Sequence, residues 1–405
     1  MTEPSPSPPF PIMPFRQPIK IIGAGLSGLS LARTLQNHHI PAKIFEKATR
    51  GPRHNYGITL HESTYQPLAR ILGITELAFK DRVAVDAGVG GTGLIDAREL
   101  VQGRGFESGS FRANCGKLES LLMAGLEGRQ GMGVQWGSTL EKIMQEGSAG
   151  SGMVMEVSDG SDVQKVESSC IVVANGVHSR VLKSPKLDIL PFVAFNGKRS
   201  VKRGTFDTFY GPAMKRSTVV ELKREDVVLS VSINEARKDM VSISWIYSRP
   251  SRGGSDPLHK PNRSNSAAKE IPKEIFEEVT TLKDLPQPFA EVFNAEKLKK
   301  ERILHWLQRT SMAGLQELRE AARHGIFMIG DSVHAQPILG GEGANAAIRD
   351  GMELGECIAN CTYKESSDRD VVPEWYKERY EDWEAGVKRS KKAIVEMHSE
   401  QKSNL

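Results

Sequence analysis

Apolar positions fall in short blocks whose spacing changes along the chain. Residues 19–22, "IKII", have the length and character of a buried strand and stop at Gly23-Ala-Gly25-Leu-Ser-Gly28. Leu26, Leu29, Leu31, Ala32 and Leu35 then keep the helical period, and "HHIPAKIFEK" reads as a loop and a second strand closing on Glu46. A further helix is predicted at "TYQPLARILG", followed by a glycine-rich connection and more strands. The β segments "GMVMEVSDG" and "SSCIVVANG" predict a crossover sheet returning to the first layer. "TVVELKREDVVLSVSIN" and "MVSISWIYSRP" alternate as sheet strands do, residues 251–272 form a long polar loop, and helices follow at "KEIPKEIFEEV". "GIFMIGD" predicts a short buried strand. After Gly340-Gly341-Glu342-Gly343, the positions of Ala346, Ala347, Ile348, Met352 and Leu354 predict a buried helix face, and a charged helical segment runs from Val372 onward.

This order of elements predicts an α/β fold: a Rossmann-like dinucleotide domain, an inserted mixed β-sheet domain and C-terminal helices. The expected boundaries are a leader over residues 1–17, a first part over 18–185, the inserted domain over 186–317, and a second part with the terminal helices over 318–405.

Composition narrows the function classes. The chain has 405 residues, 39% hydrophobic and 26% charged, with a net charge of +4, as expected of a globular protein with a sizeable core. Its densest basic run, "KRSKK" at 388–392, reads as a solvated helix face, so nucleic acid is not an expected partner. Cys115, Cys170, Cys357 and Cys361 show neither metal-ligand nor disulfide spacing, which points to a reducing compartment; Cys357 and Cys361 share one helix face as buried thiols. The Pro/Ser-rich leader lacks a basic n-region and a signal-length apolar stretch and reads as a disordered arm. No run of about 18 apolar residues predicts a membrane span, and a cytoplasmic location is expected. Oligomeric state is left open.

The three glycines between strand and helix have separate tasks: the tight turn, backbone approach to a pyrophosphate, and close packing of helix on sheet. The helix start adds unpaired N–H groups and partial positive charge for phosphates. Glu46, 23 residues after Gly23, suits an acceptor for ribose hydroxyls. This motif predicts a dinucleotide but leaves nicotinamide and flavin open. The second element is residues 325–355, "GIFMIGDSVHAQPILGGEGANAAIRDGMELG". There Asp331 closes a strand and suits a ribityl chain, while a glycine-rich helix start would stabilise negative charge on a reduced flavin edge.

On these residues the chain resembles the class A FAD-dependent monooxygenases of the aromatic-hydroxylase-like fold. "GAGLSG…FEK" is similar to the family's first FAD motif, "GDSVHAQPILGGEGAN" to its GD motif and following helix, and "VANGVHSRV" at 173–181 to its DGxxSxxR-like segment. "RHNYGITLH" and "FNGKR" look most like members, many of them fungal, that act on aromatic or polycyclic natural products. The resemblance implies FAD as cofactor and a Rossmann-like domain of the GR2 type. It implies NADPH or NADH and O2 as co-substrates, and insertion of one oxygen atom through a flavin C4a-hydroperoxide. The cofactor residues it implies are Gly23, Gly25, Leu26, Ser27, Gly28, Glu46, Lys47, Arg112, Cys115, Asn175, Gly176, Gly330, Asp331, Gly341, Gly343, Ala344 and Asn345. Arg199, at the start of the inserted domain, is the candidate for contact with substrate or flavin, with a salt bridge as the alternative.

Three positions depart from the family pattern. Cys115 stands where an arginine usually reaches FAD from a helix start, and Asn175 replaces an aspartate. Glu342 stands where glutamine is common, and a carboxylate at the flavin edge would oppose an anionic reduced ring unless turned away. Phe195, Phe206, Tyr210, Trp245 and Tyr247 are expected mainly as core, and His61, His178 and His334 as packed or hydrogen-bonding residues. No metal cluster or Ser/His/Asp set is readable from spacing. The weakened contacts keep a second reading open, a non-redox cyclase or isomerase on the same fold. A nicotinamide dehydrogenase would explain the first motif but not residues 330–345.

Overall fold

The computed structural model describes residues 17–399 except 52–53, 103–105, 128–130, 146–152, 184–186 and 365. The expected disordered arm, but for Gln17, lies outside the described residues. Strand β1 (Ile19–Ile22) leads through α1 (Leu26–Asn37) to β2 (Ala42–Glu46). Next, β3 (Gly57–Leu60) is followed by α2 (Glu62–Ile71), α3 (Glu76–Val83) and β4 (Phe111–Asn114), and α4 (Cys115–Met123) returns the chain to β5 (Gly133–Trp136). A meander of β6 (Thr139–Gln145), β7 (Met153–Ser158) and β8 (Val163–Ser168) precedes β9 (Ile171–Val173). The inserted part comprises β10 (Asp188–Ile189), β11 (Phe192–Lys202), α5 (Arg203–Phe209), β12 (Val219–Arg224), β13 (Val227–Ala236) and β14 (Met240–Pro250). It continues with α6 (Glu274–Thr281), α7 (Phe289–Val292), α8 (Ala295–Leu298), β15 (Ile303–His305) and β16 (Arg309–Thr310). The last elements are α9 (Leu315–Arg323), β17 (Ile326–Met328), α10 (Gly343–Tyr363) and α11 (Asp368–His398).

Strands β17, β9, β1, β2 and β5 lie side by side in that order, all parallel. "IKII", "IVV" and "IFM" read as nearly unbroken apolar runs because a parallel sheet is buried on both faces, here by helices such as α1 and by the meander, whose Met153, Met155 and Val157 join the same core. The order brings β17, from the far end of the sequence, beside β9 and one strand away from β1.

The second large sheet, ordered β12-β13-β14-β11-β15, is antiparallel in every pairing rather than mixed. Its central strands are joined by turns of two or three residues, and a connection that short can only reverse direction. Alternation divides the sheet into two faces. Phe195, Trp245, Tyr247, Leu229 and Val231 point outward into a core shared with α5, α6 and α7. Ala194, Ile246 and Trp306 point inward and meet Leu339, in the loop before α10. All five aromatics expected as core lie in the outer cluster.

Helices α1 and α10 touch at backbone distance. A methyl group at Gly351 would fall on the carbonyl of Ser27 and 2.8 Å from the amide nitrogen of Leu31. In a helix interior alanine is normally favoured over glycine by about 1 kcal/mol. Here we expect the opposite sign: Gly351→Ala should lower unfolding free energy by about 1–3 kcal/mol, as overpacking does. A denaturant midpoint that rises would show that the close approach is dispensable.

Candidate active site

The three glycines of the first motif do different things. Gly23 has φ +107°, and a side chain there would strike the backbone of Ala174 and Asn175. Gly28 is pressed against the carbonyl of Gly23, whereas a Cβ on Gly25 would meet nothing within 4 Å. Gly25 is also the N-cap of α1 and supplies no side-chain cap, so the first-turn N–H groups of Leu26, Ser27 and Gly28 face a cleft without a capping side chain. Glu46 is buried, with Oε2 accepting from Ala24 N at 2.8 Å and Oε1 from Ala48 N at 2.9 Å. Each carboxylate oxygen keeps acceptor capacity for a hydroxyl.

The second motif arrives at the same place. A Cβ on Gly330 would lie 2.8 Å from Ser27 Oγ, so the GD turn rests on the first turn of α1. Gly343 opens α10, again without a side-chain cap, and Gly341, with φ +79°, faces open space. Asp331 is solvent-accessible yet densely surrounded by protein, as at the floor of a cleft; burial pushes its carboxyl up, against the pull of His334 and Arg309. Asn345 is engaged at both ends of its amide: Oδ1 accepts from His61 N at 2.9 Å and Nδ2 donates to Thr59 O at 3.1 Å. Its side chain therefore fixes α10 to β3, which leaves the backbone N–H, as at Ala344, as the group available to a ligand. Glu342 pairs with His61 Nε2 at 2.9 Å. Although burial raises its carboxyl, His61, Arg349 and Arg389 outweigh that and hold it low, so its charge is neutralised away from the cleft.

Asp350, fully buried on α10, anchors this turn. Its carboxylate accepts from Gly330 N at 2.9 Å, His334 Nε2 at 2.6 Å and Trp383 Nε1 at 2.9 Å, with Arg379 at 3.6 Å. Nothing in the sequence motif marks it, because its partners are 20, 16 and 33 residues away.

A third segment closes the cleft. Asn175 stands beside Gly23, and its Oδ1 is buried without a protein partner, an acceptor awaiting a donor. Gly176, with φ +83°, faces open space. Burial pulls the His178 imidazole down, and Arg309, Lys47 and Arg180 add to this, which gathers four basic groups by the phosphate turn. Two uncapped helix starts, open glycines, an orphaned acceptor and this positive cluster fit the phosphates and hydroxyls of FAD.

The other expected residues divide by sheet face. Arg199 points outward, where Nη2 meets Glu301 at 2.6 Å and Nη1 donates to Tyr210 Oη at 3.2 Å. Of the two readings offered by the sequence, the geometry has the salt bridge. Arg112 spans the two halves, donating to Thr59 Oγ1 and Ser232 Oγ at 3.3 Å each. Cys115 begins α4 beneath Tyr56, whose hydroxyl is pushed up by burial and by Cys115, Glu119 and Asp331 nearby. The fold also gathers His54, Cys115 and Glu119, whose ligand-type atoms lie within 4.8 Å of one another. Separations of 61 and 4 residues hide this group from spacing rules. A groove of about 820 Å³ between α2, α10 and α11, lined partly by Pro67, Met352 and Trp375, includes none of the expected cofactor residues.

Comparison with known proteins gives a consistent picture. The profile of the family described as "FAD binding domain" matches residues 16–390. The chain is 31% identical over 401 residues to the FAD-dependent monooxygenase aptC of Emericella nidulans, covering 94% of this chain and 95% of that protein. Among solved structures it is similar to a putative FAD containing monooxygenase from Photorhabdus luminescens, with TM-score 0.68 and 16% identity over 95% of this chain and 98% of that one. It is also similar to tetracycline destructase Tet(55), with TM-score 0.64 and 15% identity over 96% and 91%. Among the described residues no helix is long and apolar enough to cross a membrane.

The Asp350 anchor makes a pH-dependent prediction. Burial raises its carboxyl, but His334, Arg379 and the Gly330 N–H outweigh that and hold it below the usual aspartate value. A lowered folded pKa contributes stability above the unfolded value of about 4, and that contribution fades as pH falls through the folded value. Asp350→Asn should cost about 3 kcal/mol at pH 7, with the gap to wild type narrowing below about pH 4. Denaturant titrations at both pH values check it, and a gap independent of pH would contradict it.

Proposed function

The chain belongs to the FAD binding domain family of FAD-dependent monooxygenases, and from that premise we propose its reaction: NADPH or NADH and O2 are used to insert one oxygen atom into an aromatic or polycyclic small molecule of secondary metabolism, in the cytoplasm. The observation that carries this reading is the meeting of Gly330 and Ser27, which turns two remote glycine-lined helix starts toward one cleft. In this reading residues 18–185 and 318–405 hold the cofactor and residues 186–317 cover the substrate.

Bound FAD supplies hydride acceptance and oxygen activation; the protein supplies position, charge and a dry pocket. The N–H groups of Leu26, Ser27 and Gly28 receive the pyrophosphate, with Lys47, Arg180 and Arg309 as nearby positive charge. Glu46 accepts from ribose hydroxyls, Asp331 from ribityl hydroxyls, and Asn175 Oδ1 takes a remaining donor. The N–H groups of Gly343, Ala344 and Asn345 favour negative charge on the ring edge. Cys115 brings no charge to this site. The substrate lies on the inner side of the antiparallel sheet, the face that carries Ile246 and Trp306 together with Ser230, Ser232 and Ser244. Such a surface suits fused rings carrying phenolic or carbonyl oxygens.

The direct test incubates the protein with FAD, NADPH and aromatic or fused-ring scaffolds under air. A product heavier by one oxygen atom, with matching O2 uptake, is expected; a product of unchanged mass would point to the cyclase reading. Asp331→Ala should weaken FAD binding roughly ten- to hundredfold, the loss of one charge-assisted hydrogen bond. Fluorescence titration measures it, and an unaltered affinity would remove Asp331 from the site.

A further inference from the structure

Cys115 carries no charge, and the cations of the neighbouring elements differ in what already holds them. Arg112 is tied to Thr59 and Ser232, Arg199 is held by Glu301 on the outer face, and Arg309 stands within reach of Asp331. Lys198 lies one residue from Arg199 on β11 and so points to the opposite, inner face. Its Nζ donates to Asn55 O at 2.8 Å and stands 5.5 Å from the centre of the Tyr56 ring. Among the described residues no carboxylate lies within ion-pair distance of it.

We propose that Lys198 is the counter-charge of the reduced FAD ring, delivered by the substrate sheet to a wall made of Asn55, Tyr56 and Cys115. This rests on the FAD reading above. Four features locate the ammonium. Tyr56 receives the Cys115 N–H at its carbonyl, at 2.9 Å, so the Lys198 head and the Cys115 helix start share one wall. The Tyr56 hydroxyl lies near Asp331, so that wall faces the GD turn. The phosphates have their own cations and helix N-terminus beside Gly23 and Asn175, on a different segment. Finally, Lys198 comes from the sheet that covers the substrate, which is the side on which the ring reacts.

The electrostatics fit a charge that is needed only part of the time. Burial and the nearby Arg302 pull the ammonium down, against the opposing influence of Cys115, so it is a cation lacking an acidic partner. A flavin ring that accepts a hydride from the nicotinamide takes up two electrons and one proton, and so gains one negative charge. A lysine beside that ring binds the reduced form better than the oxidised one, which appears as a higher reduction potential. A carbonyl partner such as Asn55 O uses one of three N–H donors and leaves two for the ring.

The test uses the full-length holoprotein and the variants Lys198→Met and Lys198→Arg. Affinity for oxidised FAD is read by fluorescence titration, and the two-electron potential by anaerobic equilibration with a reference dye. Lys198→Met should weaken the reduced form about tenfold relative to the oxidised form, a potential lower by about 30 mV, while Lys198→Arg stays near wild type. An unchanged potential in Lys198→Met overturns the proposal, as does equal weakening of both redox forms, which would assign Lys198 to the phosphates. Lys198 is exposed to solvent on one side while its head group lies against Asn55 and Tyr56, so the methionine variant leaves the core intact, and the arginine variant checks the fold. A wild-type protein that takes up no FAD would overturn the cofactor reading itself and is distinguishable from either result.

Discussion

The molecule turns on the backbone-to-backbone approach of α1 and α10. Helices usually pack 8–10 Å apart, separated by side chains. Here Gly351 lies on Ser27 and Leu31, Gly355 on Thr34, and Gly330 on the Ser27 side chain. Gly351 and Gly355 are spaced i, i+4, so both fall on the same stripe of α10. With no side chain on this stripe of α10, the two helices lie close together, and each leaves its first-turn N–H groups without a side-chain cap. Uncapped helix starts are a liability unless something else satisfies them. The fold leaves two along one cleft, the first beside an orphaned Asn175 acceptor, and the proposed FAD would satisfy all three.

That arrangement needs the GD turn to be rigid, and a fully buried carboxylate makes it so. Asp350 joins the Gly330 amide, His334 and Trp383, connecting the turn to both terminal helices. His334 also stacks on Trp383, with ring centres 5.0 Å apart. A buried carboxylate with so many donors is stabilising only while all of them are present, because each unpaired group left behind costs free energy. Charge is placed the same way on the outer face of the antiparallel sheet. Arg249, with no exposed surface, is held by Asp256 at 2.6 Å and Glu278 at 2.7 Å, and Arg199 by Glu301. The Arg249 pairs fasten α6 and the polar loop to the sheet, and all of these charges stay off its inner face.

How much of this the sequence discloses depends on the range of each interaction. The glycine pattern, Glu46 and the GD strand are local signals, each readable from a few neighbouring residues, and the structure brings those segments together. The departures at Asn175 and Glu342 are also visible locally, but their meaning is not. Glu342 is held by a hydrogen bond to His61, 281 residues away, with Arg349 and Arg389 as its nearby positive charges. Asn345 has the right place for a cofactor contact, yet its amide is taken up by β3 and α2's N-cap residue, a use no spacing rule anticipates. The grouping of His54, Cys115 and Glu119 is hidden for the same reason.

The least legible feature is which face of a strand a residue occupies. "FNGKR" offers two adjacent cations, and β-structure sends them to opposite sides. Register then decides between them. Phe195 opposite Tyr247 and His305 puts the odd-numbered positions of β11 into the outer core, so Arg199 joins Glu301 while Lys198 faces the cleft. A shift of one residue would exchange them and send the large aromatics into the cofactor cleft. The apolar weight of Phe195, Trp245 and Tyr247 on one face therefore fixes the register. Through the register it also determines which positive charge reaches the site. Core packing on the far side of the sheet is in this sense part of the active-site design.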